Sequence, residues 1–380
     1  MSEIKNLKKA AERILKAIKK KENIVIYGDA DLDGVVSVII LKETIKSLGA
    51  KVADVYFPSR EKEGYGITES GLNFLKKYAP ALLIALDCGI GNFKEVKIAK
   101  KIGFEVIIID HHEILEKLPS ASIIVDPKQK GDKYPFKQFA TVGLVFKLSE
   151  ALFKGKMSEV LRRNFLELVS LATIADMMPL VEDNKIMVEE GLKFLESSWR
   201  PGIQVLLELE EIASLPLRQK VSKINSFLNI RDEENRLPLA FRLLTAHSKK
   251  EAEALAKDLA QKNKERKKRI EEIIEEIEVK LSIEEKSPII WEGSKKWELA
   301  LLGVVASFLV QKYKKPVFLL KIGEKESQGT IRAPSGVNVV EAMKGFSKKL
   351  ITYGGHPQAA GFKIKNENLE EFKEYLIDYF

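Results

Sequence analysis

The chain has one cysteine, Cys88, in 380 residues, which excludes a disulfide framework and makes a reducing cytoplasm its simplest setting. Long apolar runs are also missing. The longest, Leu299 to Val310, is too short to cross a bilayer, so no membrane partner is expected. The amino-terminal stretch SEIKNLKKAAERILKAIKK lacks the uninterrupted apolar region of a signal peptide and reads as a helix. Internal repeats and low-complexity tracts are absent as well.

What is plentiful is charge. Asp, Glu, Lys and Arg make up 31% of the chain, a level also found in thermophilic proteins. The net charge of +8 and pI of about 9.1 favour an anionic partner, unless the surplus lysines are simply a solvated surface. The length predicts two or three domains.

Short apolar runs alternate with helical segments up to about Pro127. Strands are expected at Asn23–Tyr27, Val52–Phe57, Ala81–Leu86, Phe104–Ile109 and Ser122–Val125. Runs such as ALLIALD and FEVIIID are apolar throughout, which suits a parallel sheet buried on both faces by crossover helices. Residues 139–200 read as helices, 214–234 as irregular, and 248–281 as a long Lys/Glu-rich connecting helix. Its basic run Lys262–Arg269 is most simply a solvated face. Beyond Pro288 a smaller α/β unit follows, ending in a glycine-rich segment. The expectation is an α/β protein with three parts. Residues 1–190 form a parallel-sheet catalytic domain, 191–283 a helical segment with the connecting helix, and 284–380 a substrate-binding domain.

The chemistry gathers where strands end. IVIYGDADLDG, residues 24–34, puts Asp29, Asp31 and Asp33 after the first strand; Asp87 and Asp110 follow two others. Open α/β sheets bind ligands at the carboxyl ends of their strands, so these acids converge on one edge. His111 and His112 come next, and Asp176 ends an apolar helix. One acid at a strand end is commonly a turn or cap residue; this many together repel one another unless a cation sits among them. Carboxylates with imidazole suit manganese or magnesium better than a thiolate-bound zinc, and the number of ligands calls for two ions. Cys88 lacks an adjacent base and is read as a small buried residue.

GDADLDG at 28–34, LDCG at 86–89, DHH at 110–112 and TIAD at 173–176 resemble, in order, the four motifs of the DHH phosphoesterase superfamily. GTIRAPSG and YGGHPQAAGF resemble its DHH-associated substrate-binding domain, and LLGVVASFLVQKYKKPVFLL resembles the RecJ branch. The resemblance implies that Asp29, Asp31, Asp33, Asp87, His111 and Asp176 hold two manganese or magnesium ions, with Asp87 as the bridge and Asp110 kept as a further candidate. His112 would assist catalysis, with Asp87 and His111 acting through the ions, and water would be activated to release nucleoside monophosphates. Thr330, Arg332, Gly354, Gly355 and His356 would hold substrate phosphates. A partial match at Lys223–Ser226 to a RecJ backbone-contacting segment adds Lys223 and Asn225. Many relatives carry a histidine where Tyr27 stands, so one ion is expected to be bound more weakly or with an extra water. With no length for the further oligonucleotide-binding domain of bacterial RecJ, the chain looks like compact archaeal RecJ-like proteins.

The function so implied is a metal-dependent exonuclease on single-stranded DNA, RNA or both, with repair or replication proteins as partners. Two alternatives remain open: a phosphodiesterase for short oligonucleotides or cyclic dinucleotides, and a scaffold of the replicative helicase with little activity.

Overall fold

The structure, a computed structural model, describes residues 3–60, 62–114, 117–230, 236–281 and 287–380. It divides into two compact units, Met1–Gln261 and Lys262–Phe380.

In the first unit, α1 (Leu7–Lys20), β1 (Asn23–Gly28), α2 (Leu32–Ser47), β2 (Asp54–Tyr56), α3 (Glu69–Leu75), β3 (Ala81–Leu86), α4 (Phe93–Ile102), β4 (Phe104–Ile109) and β5 (Ile123–Val125) form an α/β layer. All strand pairs are parallel, in the order β2-β1-β3-β4-β5. Strand residues alternate between two cores, as the two-residue strand period requires. Ile24, Ile26, Leu82, Ile84, Ile107 and Ile109 face one way, towards α1 and α2. Val25, Tyr27, Leu83, Ala85, Val106 and Ile108 face the other, towards α3 and α4. Both faces are buried, which explains the unbroken apolar runs.

The chain then becomes helical: α5 (Thr141–Phe153), α6 (Glu159–Ala175), α7 (Glu182–Leu195), α8 (Pro201–Glu208), α9 (Glu210–Ala213), α10 (Leu217–Leu228), α11 (Leu239–Leu244) and α12 (Lys249–Leu281). Helix α10 lies in the stretch expected to be irregular. Its polar residues hide a one-sided apolar pattern, with Val221, Ile224, Phe227 and Leu228 buried. Residues 231–235 of that stretch, and the expected boundary at 283–284, lie outside the described residues. The division between units falls inside α12. Among the described residues, no helix is long and apolar enough to cross a membrane.

The second unit contains β6 (Ile290–Ser294), α13 (Leu299–Tyr313), β7 (Val317–Lys321), β8 (Glu326–Arg332), α14 (Val339–Gly345), β9 (Leu350–His356), β10 (Ala359–Lys365) and α15 (Leu369–Tyr379). Its sheet runs β6-β7-β8-β10-β9, with β6 and β7 parallel and the remaining pairs antiparallel. The glycine-rich tail supplies three of these strands. One face packs on α14 and α15 around Phe318, Ile331, Phe362 and Phe372. On the other, α13 and Ile273 and Ile277 of α12 cover Val317 and Leu319.

Candidate metal centre

Strand order in the first sheet reverses between β1 and β3, and that is where an open α/β sheet offers a crevice at its carboxyl edge. The parallel ladder continues one residue past each strand. The amide of Asp29 donates to the Leu86 carbonyl (3.2 Å), that of Asp87 to Ile109 (3.0 Å) and that of Asp110 to Val125 (3.1 Å). Three acids are thereby set side by side by backbone alone.

Asp31 and Asp33 are not loop residues. Asp31 caps α2, accepting from the Gly34 amide at 3.2 Å, and Asp33 sits in the helix's first turn, where the helix dipole favours a negative charge. Gly34 is required here, because a Cβ would come within 2.3 Å of the Asp29 carbonyl oxygen. Both oxygens of Asp33 accept amides from the start of α5, from Thr141 (2.7 Å) and Val142 (2.8 Å). The Thr141 hydroxyl donates to Asp87 Oδ1 at 3.0 Å.

His111 projects among these acids. Its Nε2 lies 3.4 Å from Asp87 Oδ1, 3.5 Å from Asp176 Oδ2 and 3.9 Å from Asp33 Oδ2. Three sets of ligand atoms, each mutually within 4.8 Å, result: Asp87–His111–His112, Asp33–His111–Asp176 and Asp29–Asp31–Asp87. Asp87 and His111 each belong to two of them.

The electrostatics fit a cation. Burial, reinforced by Asp176, pushes the Asp33 carboxyl well above its usual range, and burial with Asp33 does the same to Asp87. Burial and Asp31 raise Asp176 to about 7. Asp176 Oδ2 is buried without a hydrogen-bond partner. The guanidinium of Arg60 lies against Asp29 and reaches Asp31 at 3.0 Å, standing in as positive charge among the acids. An all-oxygen and imidazole donor set of this kind fits manganese or magnesium.

Asp110 differs from the expectation that it ligates metal. Its Oδ1 accepts from the amides of His111 (2.8 Å) and His112 (3.2 Å), and its Oδ2 from Ile90 (3.0 Å). A 2.7 Å hydrogen bond joins the same Oδ1 to His112 Nδ1. Burial works to lower the pKa of His112, but this bond and the Asp110 charge outweigh it and hold the imidazole above its ordinary value. These bonds fit Asp110 orienting His112, and among the described residues no set of converging ligand atoms includes it.

Tyr27 also turns away. Its fully buried hydroxyl meets the Gly66 carbonyl (3.1 Å) and the Thr68 amide (3.1 Å), bracing the approach to α3. Cys88 is buried. Arg60, Thr141 and Tyr65, whose hydroxyl lies 3.2 Å from His112 Nδ1, escaped the sequence reading because none has a local signature. Asp126, buried directly after β5, continues the strand-end pattern and could have been found by it.

In the second unit, register assembles the other predicted group. Thr330, Gly361 and Gly354 lie in one cross-strand row, and Arg332, Ala359 and His356 in the next. Paired residues share a face, so Thr330, Arg332, Gly354 and His356 flank a floor of small residues; Gly355 belongs to the opposite face. Arg332 lies against Gly303 of α13 and donates to the Ile331 carbonyl at 2.8 Å. Desolvation lowers its pKa, with no compensating acid among the described residues. Lys223 and Asn225 do not join a site. Lys223 Nζ is 3.8 Å from Glu211, and Asn225 is buried, donating to the Leu171 carbonyl at 3.0 Å to seat α10 on α6.

Residues 23–173 match the DHH family, N-terminal domain, and residues 286–380 match the DHHA1 domain. The single-stranded-DNA-specific exonuclease RecJ of Bacillus subtilis (strain 168) is 36% identical over 389 residues, covering 98% of this chain and 48% of that protein. RecJ of Thermus thermophilus is 30% identical over 378 residues, covering 99% of this chain and 54% of the relative. The chain thus spans about half the length of these relatives. A crystal structure of exonuclease RecJ bound to manganese superposes with a TM-score of 0.81 at 27% identity, covering 99% of this chain and 94% of its own. The crystal structure of Thermus thermophilus RecJ in complex with Mn2+ gives 0.84 at 26%, covering 99% of this chain and 55% of its own. The chain belongs to the DHH superfamily and is RecJ-like, with the DHH and DHHA1 domains both present.

Proposed function

We propose that the chain is a manganese- or magnesium-dependent exonuclease that hydrolyses single-stranded DNA or RNA to nucleoside monophosphates. The observation that carries this reading is the convergence of Asp29, Asp31, Asp33, Asp87, His111 and Asp176 on one sheet edge. These residues would hold two ions, with Asp87 shared. When bound, the ions supply Lewis acidity and activate water for in-line displacement at phosphorus.

The chain's own residues do the rest. The amides of Thr141 and Val142 clamp Asp33, and the Thr141 hydroxyl fixes Asp87, so the carboxylates are preorganised. His112, aimed by its bond to Asp110, which raises its pKa, would give a proton to the departing oxygen. Arg332, with Thr330 and His356 beside the glycine floor, takes a phosphate of the strand in a forked contact. An intact ligand set favours an enzyme over a scaffold. A cytoplasmic setting and partners in repair or replication extend the proposal.

The test uses single strands of DNA and RNA labelled at either end. With Mn2+ the parent protein should release mononucleotides, chelation should stop it, and Asp87→Ala should be slower by about 10³-fold. Intact label with the metal-loaded parent, indistinguishable from Asp87→Ala, would refute the proposal.

A further inference from the structure

The turn after Asp176 carries two unfavourable features at once. Helix α6 closes in a Schellman motif: the Met177 amide donates to the Ile174 carbonyl (3.1 Å) and the Met178 amide to that of Thr173 (3.2 Å). That motif wants glycine where Met177 stands, and Met177 accordingly adopts a left-handed φ of 57°. Its side chain is also 88% exposed. Leu180 and Val181, completing the turn into α7, are 47% and 48% exposed. One exposed apolar residue needs no explanation; three in five positions, one of them strained, do.

We propose that Met177, with Leu180 and Val181, forms an apolar lip on the metal centre that packs against a nucleobase of the strand being cleaved. The inference rests on the single-strand substrate proposed above. Met177 follows Asp176 directly, about 3.8 Å along the backbone, which puts this turn within reach of a base attached to a phosphate held at the centre. The bases of a single strand are unpaired and present flat, weakly polar faces. A flexible, polarisable thioether packs on any of them without reading sequence, as an enzyme that removes successive nucleotides requires. Glycine would suit the backbone better; methionine at this position is accounted for by contact with substrate.

The test compares the parent with Met177→Gly and Leu180→Ser by melting temperature and by KM and kcat on two strands. One is an ordinary single strand, and the other has the same length with abasic residues at both ends. Met177→Gly should melt a few degrees higher. Its KM on the ordinary strand should rise about fivefold with kcat within about twofold, as loss of one base contact implies. On the abasic strand the KM of parent and variant should coincide. Leu180→Ser, which leaves the helix cap intact, should show the same split between strands. An unchanged KM on the ordinary strand in both variants, an equal rise on both strands, or a lower melting temperature for Met177→Gly overturns the inference. A parent that digests neither strand overturns the single-strand reading itself, and this inference with it.

Discussion

Single residues divide here into those that would face ions and those that hold them in place. Asp110 belongs to the second kind, and its substitution should show it. Asp110→Asn keeps the shape but removes the charge that favours protonated His112. We expect kcat to fall about 10- to 100-fold, the usual cost of losing such an outer partner. The number of Mn2+ ions bound, read by calorimetry, should not change. Loss of a bound ion in Asp110→Asn would return this residue to the ligand set. Arg332 gives a complementary case. Arg332→Lys retains charge but not the fork, so KM for single strands should rise about tenfold with little recovery over Arg332→Ala. Equal KM for Arg332→Lys and the parent would rule out a forked contact.

Between elements, the most informative contact is the fully buried Arg200 at the start of α8. Its guanidinium grips both oxygens of Glu43 in α2 (2.9 and 2.8 Å), and its Nε lies 3.3 Å from Glu167 of α6. It ties the helical part of the first unit to the sheet layer. Removing it leaves a buried carboxylate without a partner, so Arg200→Met should cost about 3–5 kcal/mol in chemical denaturation. Burial pushes Glu167 up from 4.5 to about 7, against the lowering pull of Arg200. A raised folded-state pKa means that this group's contribution is complete below pH 4.5 and is lost as pH rises through 7. Without the guanidinium the loss is larger, so the gap between variant and parent should be wider at pH 8 than at pH 5. A gap independent of pH would argue that Glu167 is not the group left uncompensated. None of this was legible in sequence, where Arg200 is one of many cations and nothing local pairs it with Glu43 or Glu167. The parallel sheet was legible, because each strand is an uninterrupted apolar run bounded by a turn or an acid.

At the scale of the molecule, net charge and metal binding set the measurable behaviour. A chain of charge +8 that binds a polyanion should lose affinity as salt rises. For single strands the log–log slope is about −0.7 per phosphate neutralised, so Arg332→Ala should flatten it by about 0.7. A slope identical to the parent's would mean that Arg332 neutralises no phosphate. Ions that bind only the folded state also stabilise it, by about 2.7 kcal/mol at a hundredfold excess over Kd. Mn2+ should therefore raise the melting temperature of the parent and raise that of Asp87→Ala far less. An equal rise in both would place the stabilising ion elsewhere.

The sequence by itself determined the sheet, its carboxyl edge and the acids upon it. Both-face burial forces unbroken apolar strands, and the parallel ladder then sets the residue after each strand beside its neighbours. Tertiary structure alone decided which oxygens stay free to meet a cation. Asp110 bonds to His112 and three amides, Asn225 of α10 is buried against α6, and Arg60 and Thr141 arrive from distant segments to hold Asp29, Asp33 and Asp87. The reason is physical: a carboxylate's position follows from backbone order, but its hydrogen-bond partners follow from packing between segments far apart in the chain.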